Sequence, residues 1–555
     1  MAESKSDKKT SRRVAAISVV AVLLVLVIMF AYVVPQFTTP TVPTTSKPKE
    51  KVLVVGTTDY VWGIDPYDNR GYNAAMMSSL IYDTPIIAEW EKEGWQLKPS
   101  LATKWEAVDG KGKVWEFEFR KDVFFHDGTP FNASAAKSSL DRAKDSGKGI
   151  STDLKIQVDK IDVVDAYRIR ITLKFPYAGF PSMLTYSPAG ITSPTAVKTW
   201  GDQYSSQSLA ATGPFKLERW VPGDEIVVVK NEKYWNKEKL PKIDKFILKF
   251  FKDPTTLRMA LEKKEIDIAH RFLLTPDIAA LEANPALNVY KGPEVFVRML
   301  TVNPRPQAPA GKYLSNMLVR QAIAYAVDYD RIVKFRAGQR AYGLYSKGQT
   351  VPDVALETQK DFKYDPAKAK QLLAQAGYPN GIPEPLELIY DTGAFGAEEA
   401  EMAAILANNL QSAGIPVKLR IVDSVLRITI LNSGESALSL FSATSSTPDA
   451  DFLTSVNYYS AGSSAAQRFG FNRSDVDQLV FQARAELNME KRIEIYQKMQ
   501  MIADGTDLAR GQIFLFRPWN YVISWKYVKG DLTPTIMQRY TIDWAKVDLD
   551  PERKT

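Results

Sequence analysis

Residues 101–142 read LATKWEAVDGKGKVWEFEFRKDVFFHDGTPFNASAAKSSLDR. This stretch restricts the possible folds more than any other part of the chain. It opens on a short helix end, Leu101–Trp105, and a turn over Asp109-Gly110-Lys111-Gly112. Trp115, Phe117 and Phe119 then alternate with Glu116, Glu118 and Arg120, the period of a half-buried strand. Asp127-Gly128-Thr129-Pro130 forms a second turn, Gly and Pro supplying the backbone shapes it needs. Asn132 or Ser134 can cap a following helix that carries Ala135, Ala136, Leu140 and Ala143. As a pattern alone this is a strand–turn–helix unit, compatible with many architectures.

The letters narrow it. Leu101, Ala102, Trp105, Asp109, Gly110, Trp115, Phe117, Arg120 and Val123 fall in one ordered run. Phe125, His126, Asp127, Gly128, Pro130, Phe131, Ser139, Leu140 and Arg142 complete it. This run resembles the signature of family 5 extracellular solute-binding proteins, the oligopeptide- and dipeptide-binding class of ABC importers. Phe119 stands where Leu is usual, and Ser134-Ala135-Ala136 replaces the usual acidic run. Further blocks agree: Ile64-Asp65-Pro66, Thr212-Gly213-Pro214-Phe215 with Asn231 to Trp235, Val319 to Asp328, and Tyr364 to Leu373. The resemblance covers nearly everything from Val52 onward. It implies a two-lobed α/β fold of the periplasmic-binding-protein type, a Venus flytrap with three subdomains. It implies a first lobe over 52–296 with an inserted subdomain about 91–200, a second lobe over 297–510, and a return to the first lobe over 511–555.

The N-terminus is of a different kind. Residues 1–13 are polar and basic, and Val14 to Val34 carry no charge. At about 1.5 Å per residue that run spans the roughly 30 Å hydrocarbon core. It is longer than a signal-peptide core, and Phe30-Ala31-Tyr32 is a poor cleavage context. One N-terminal transmembrane helix, retained in the mature protein, is therefore expected. The basic tail would stay cytoplasmic and the body would lie outside the cell. Residues 35–51 are rich in Thr and Pro and read as an extended stalk. Two sequons, at Asn132 and Asn472, would then face a glycosylating compartment.

Composition removes several functions. The chain has no cysteine, which excludes disulfides, thiolate metal sites and thiol catalysis. Its two histidines, His126 and His270, cannot build a His-rich metal centre. The net charge of +7 lies partly in the N-terminal tail and is otherwise interspersed, so no nucleic-acid partner is expected. There is no Gly-x-Ser-x-Gly elbow, zincin pair or P-loop. A glycoside hydrolase needs two carboxylates at a set separation, which sequence does not show. The expectation is a binding protein without cofactor, with a non-transport cell-surface role as the alternative.

The resemblance also points to ligand contacts. Arg70, Gly71 and Tyr72 match the family's segment at the cleft mouth. In the family a tryptophan and an amine-pairing aspartate stand where this chain has Ala443 and Ser446. Serine cannot neutralise a buried ammonium, and an unpaired buried charge is costly. Asp449 could take that role, or could cap a helix. Trp62, Tyr72, Tyr458 and Tyr459 are aromatic candidates for the cleft. The expected ligand is an oligopeptide or a neutral oligosaccharide, passed on to ABC permease subunits.

Overall fold

The computed structural model describes residues 50–550 except 62, 68–71, 92–93, 147–150, 205–208, 272, 294–295, 393–395, 397, 461–467, 469 and 536–541, and the side chain of 202. The basic tail, the apolar run at 14–34 and nearly all of the stalk lie outside the described residues. Among the described residues no helix is long and apolar enough to cross a membrane.

The first lobe begins with β1 (Val52–Thr57), whose Leu53 and Val55 are fully buried, and α1 (Tyr72–Ile81). An inserted subdomain follows. Its hairpin is β2 (Ile86–Glu91) and β3 (Gly94–Pro99). Its four-stranded sheet contains β4 (Ala102–Ala107), β5 (Val114–Phe119), β6 (Val158–Asp165) and β7 (Arg168–Leu173), in the order β4-β5-β7-β6. The helix end expected at Leu101–Trp105 is instead strand. Trp105 pairs with Phe117 across the sheet, so cross-strand packing overrides the local pattern. α2 (Ala133–Ser146) is capped by Asn132, whose side chain accepts from the Ala135 N–H at 3.0 Å. It packs Ala136, Leu140 and Ala143 into a core with Phe117, Phe131 and Phe180.

The chain then returns to the main sheet through β8 (Phe215–Val221), β9 (Glu225–Lys230), β10 (Lys245–Phe250) and β11 (Ile268–His270). β1 lies parallel between β10 and β11. β12 (Leu287–Pro293) completes the first-lobe portion.

The second lobe starts with β13 (Phe296–Val302), nearly all buried and so covered on both faces. α3 (Pro366–Gln375) is capped by Asp365 and ends at Gly377, which adopts a positive φ of 93° that a side chain would strain. β14 (Leu386–Tyr390), α4 (Glu398–Ser412) and β15 (Val417–Ile421) form a strand–helix–strand unit whose strands pair in parallel. α5 (Ser424–Ser433) leads to β16 (Leu438–Thr444). Three helices follow: α6 (Ala450–Tyr458), α7 (Ser474–Ala485) and α8 (Met489–Asp504).

One strand joins the lobes. β17 (Gln512–Trp525) is far longer than the four-residue strand its sequence suggests at Ile513–Phe516. Its first residues pair with β13, and Trp519 to Trp525 pair with β12. The crossing therefore falls inside a continuous strand, near Arg517 and Pro518. Backbone hydrogen bonds on both sides of that point hold the lobes in one sheet.

Candidate functional site

The strand ends of the two lobes face each other beside this crossing. On the first lobe, β11 ends at His270 and delivers Arg271. The Arg271 guanidinium lies 3.7 Å from the centre of the Tyr72 ring and 3.3 Å from Asp59 Oδ2. Arg271 holds a left-handed φ of 66°, a strained conformation for a side chain of its size. Asn520, from β17, donates to the Tyr72 hydroxyl at 3.0 Å. His270 packs 5.6 Å from the Tyr72 ring, and burial together with Arg271 holds its pKa down to about 3. It is a neutral imidazole at any working pH.

The second lobe contributes a denser charged cluster. Arg298, the only charged residue of β13, donates to Glu399 at 2.5 Å, and both are almost fully buried. Arg336 lies 3.5 Å from Glu399 and 3.9 Å from Glu398. Arg427, on the first turn of α5, lies 3.2 Å from Asp391, just past the end of β14. Arg468 donates to the Asn432 amide oxygen at 2.7 Å and stands over Phe441. Burial and the charge of Arg427 both lower its pKa. Among the described residues here, Phe296 lies 6.0 Å from Arg271, and Glu398 accepts from the Thr275 N–H at 3.4 Å, bringing the lobes together. The result is an interlobe cleft with arginines on both walls.

Residues 96–465 match the family model for bacterial extracellular solute-binding proteins, family 5 Middle. The chain belongs to that family. Among its relatives is the glutathione-binding protein GsiB of Escherichia coli O1:K1, 30% identical over 337 residues. That match takes in 60% of this chain and 62% of the relative. Solved structures share the fold across 90% of this chain. DppA of Helicobacter pylori in complex with the peptide STSA has a TM-score of 0.74 at 24% identity, over 98% of its own length. NikA of Brucella suis in complex with Fe(III)-EDTA has a TM-score of 0.78 at 21% identity, over its full length.

In this family 5 protein the residues singled out from sequence do not gather in one place. Trp62, Arg70 and Gly71 lie outside the described residues. Tyr72 stands in the cleft against Arg271. Ser446 follows the end of β16, half-buried, and Ala443 is tied into the sheet opposite Val297.

Asp449, Tyr458 and Tyr459 are elsewhere, and the cleft role expected of them does not hold. Asp449 makes a two-pronged pair with Arg492, 2.7 Å on each oxygen, and caps α6 through the Asp451 N–H. A carboxylate so engaged and fully buried cannot also receive a ligand ammonium. Tyr458 has no exposed surface and donates its hydroxyl to Asp504 at 2.5 Å. Tyr459 packs edge-on to Phe481 of α7 at 5.3 Å. These residues hold α6, α7 and α8 together.

The same helices receive the inserted subdomain. The Ala178 N–H donates to the Arg484 carbonyl at 2.7 Å. Gly179 lies so close to the Asp449–Arg492 pair that an added Cβ would come within 2.6 Å of the carboxylate. Asp153, from the same subdomain, is raised to about 6 by burial and by Asp451, against the opposing charge of Arg484. His126 is structural: its Nε2 meets the Gly213 carbonyl at 2.9 Å and Nδ1 accepts from the Ala211 N–H at 3.3 Å.

The cleft arginines were not picked out from sequence. A signal existed for two of them. Arg298 interrupts the apolar run Phe296–Val302, and Arg427 interrupts Val425–Leu431. A lone charge in an apolar element is either paired in a core or aimed at a site.

Proposed function

We propose that this chain is the extracellular, membrane-anchored binding component of an ABC importer, and that its cleft captures a peptide-like solute by a carboxylate. The observation that carries this is the charge balance at Arg468. Asp59, Asp391, Glu398 and Glu399 each have an arginine within 4 Å. Arg468, among the described residues, has only the Asn432 amide and the Phe441 ring, with a second guanidinium beside it. Two neighbouring guanidiniums in a half-buried wall are stabilised by an anion, and a carboxylate meets them with strong charge-assisted hydrogen bonds.

The relatives support the class. GsiB is named for glutathione, a tripeptide with two carboxylates and one ammonium, and DppA was solved with a tetrapeptide. Family membership supports delivery to a permease, and the uncharged run at 14–34 supports the anchor. Ligand entry would require the lobes to part at β17 and close again.

Thermal denaturation with glutathione, the peptide STSA and maltotriose tests the reading. A ligand at 100 times its Kd adds about 2.7 kcal/mol to stability. Stabilisation by the peptides and not the sugar is expected. Stabilisation by maltotriose alone would make the cleft an oligosaccharide site. No stabilisation by any of them would favour a surface role without transport. For the anchor, the mature protein should retain residues before Val34 and sediment with membranes.

A further inference from the structure

A cavity of about 430 Å³ lies away from the cleft, with every lining residue drawn from the first lobe and its insertion. That volume is in the range of small-molecule sites. It is built by the end of α1, the β2–β3 hairpin, the start of β8, the segment 234–239, and C-terminal residues within 531–535 and 542–546. Its aromatic wall is Tyr82, Trp90, Trp95, Tyr234, Trp235 and Trp544.

The placement of these rings is specific. Trp90 is 42% exposed, high for an indole on an ordered strand, and stands edge-on to Trp95 at 5.5 Å. Trp235 is fixed by two partners: its Nε1 donates to Asp83 at 2.7 Å, and Arg120 covers its ring at 4.4 Å. The Tyr234 hydroxyl donates to the same Asp83 at 2.9 Å. The rings are therefore held before any ligand arrives, which reduces the ordering cost of binding.

The polar lining selects the ligand's charge. Lys239 pairs with Glu89 at 2.5 Å and Lys546 with Asp543 at 3.1 Å. Both cations are thus paired at the rim, and Asp83 and Asp531 add two further carboxylates to the lining, so the wall repels an anion and offers acceptors to ligand hydroxyls. Ser79, Asn236, Thr533 and Thr535 add uncharged donors and acceptors. Rings that cover apolar C–H faces, ringed by groups that both donate and accept, suit a neutral polyhydroxylated ring.

We propose that this first-lobe cavity is a second binding site, for a neutral mono- or disaccharide unit, separate from the cleft. The site is independent of what the cleft takes. It would let the protein hold a glycan at the cell surface while the lobes open and close.

The test is binding of maltose, cellobiose and N,N′-diacetylchitobiose to the full chain, followed by tryptophan fluorescence and saturation-transfer NMR. At least one sugar should bind saturably at millimolar concentration. Trp90→Ala, at an exposed position, should weaken it roughly tenfold, the scale of losing one aromatic contact face. Asp543→Asn should weaken it less. Arg468→Ala, in the cleft, should leave it unchanged, whether or not peptides bind there. Absence of saturable binding for all three sugars overturns the proposal. So does sugar binding that is lost in Arg468→Ala and kept in Trp90→Ala, which would place the sugar in the cleft.

Discussion

The second lobe holds two clusters of buried charge, and they differ in what is left over. Beneath α6, Asp449, Asp451 and Asp504 are matched one to one by Arg492, Arg484 and Arg510. Each pair is almost fully buried, and the remaining valences go to Tyr458, Asn457 and Ser455. At the cleft, four arginines of the same lobe, at 298, 336, 427 and 468, face three carboxylates at 391, 398 and 399. The first cluster pairs its acids and arginines within itself and cements three helices. Among the described residues, the second has one arginine more than it has carboxylates. A carboxylate in a signature segment is therefore not by itself a ligand contact: its partner decides whether it serves the fold or the cleft.

The largest effect that would break this contrast is at Arg492. Removing one side of a buried, hydrogen-bonded pair leaves an uncompensated charge and costs about 3–5 kcal/mol. Arg492→Met should lower stability to denaturant by that amount, since Asp449 would be stranded without exposed surface. A loss below about 1 kcal/mol would mean the pair is not structural in the sense argued.

Arg468→Ala should do the opposite. Stability should change little, because its one hydrogen bond goes to a neutral amide at the protein surface. Affinity for glutathione should fall by about 1.5–3 kcal/mol, the range for hydrogen bonds to charged groups. Calorimetry on the variant separates the two outcomes, and unchanged affinity would remove Arg468 from the site.

Much of the fold was legible because alternation and turns are local. β5, the β6–β7 hairpin and the parallel unit β14–α4–β15 all show their period in sequence. β4 was not, because its pairing partner Phe117 lies twelve residues away and only the sheet makes it extended. β17 was understated because Arg517, Pro518 and Asn520 break its apolar run, and each has a structural use there. Arg517 donates to the Gly343 and Leu344 carbonyls, Pro518 sits opposite Gly338, and Asn520 reaches Tyr72. Of the candidate contacts read from the sequence and described in the structure, Tyr72 is the one that packs against Arg271. Spacing cannot show that Arg492, forty-three residues beyond Asp449, consumes the carboxylate that seemed available for an amine.

A smaller effect sharpens the contact between the inserted subdomain and the second lobe. Asp153 faces Asp451 and Arg484 there, and its pKa of about 6 stands above its ordinary value of 3.8. The folded protein thus binds this proton more tightly than the unfolded chain. The penalty for its charge is fully present above pH 6 and is relieved as pH falls from 6 toward 4. Asp153→Asn should raise the melting temperature at pH 7.5 and leave it unchanged near pH 3.5. A gain of equal size at both pH values would show that the effect is not the titration of this carboxylate.

The proposed cleft reads a ligand's carboxylate and not its amine: Ser446 stands where the family pattern has an acid, and Arg468 has no carboxylate partner among the described residues. Calorimetry on one tripeptide in three forms, free, N-acetylated and C-amidated, tests it most directly. Amidation should weaken binding by roughly tenfold or more, the scale of a lost charge-assisted pair, and acetylation should change it little. Tight binding abolished by acetylation and indifferent to amidation would contradict the account and require a carboxylate anchor for the amine elsewhere in the cleft.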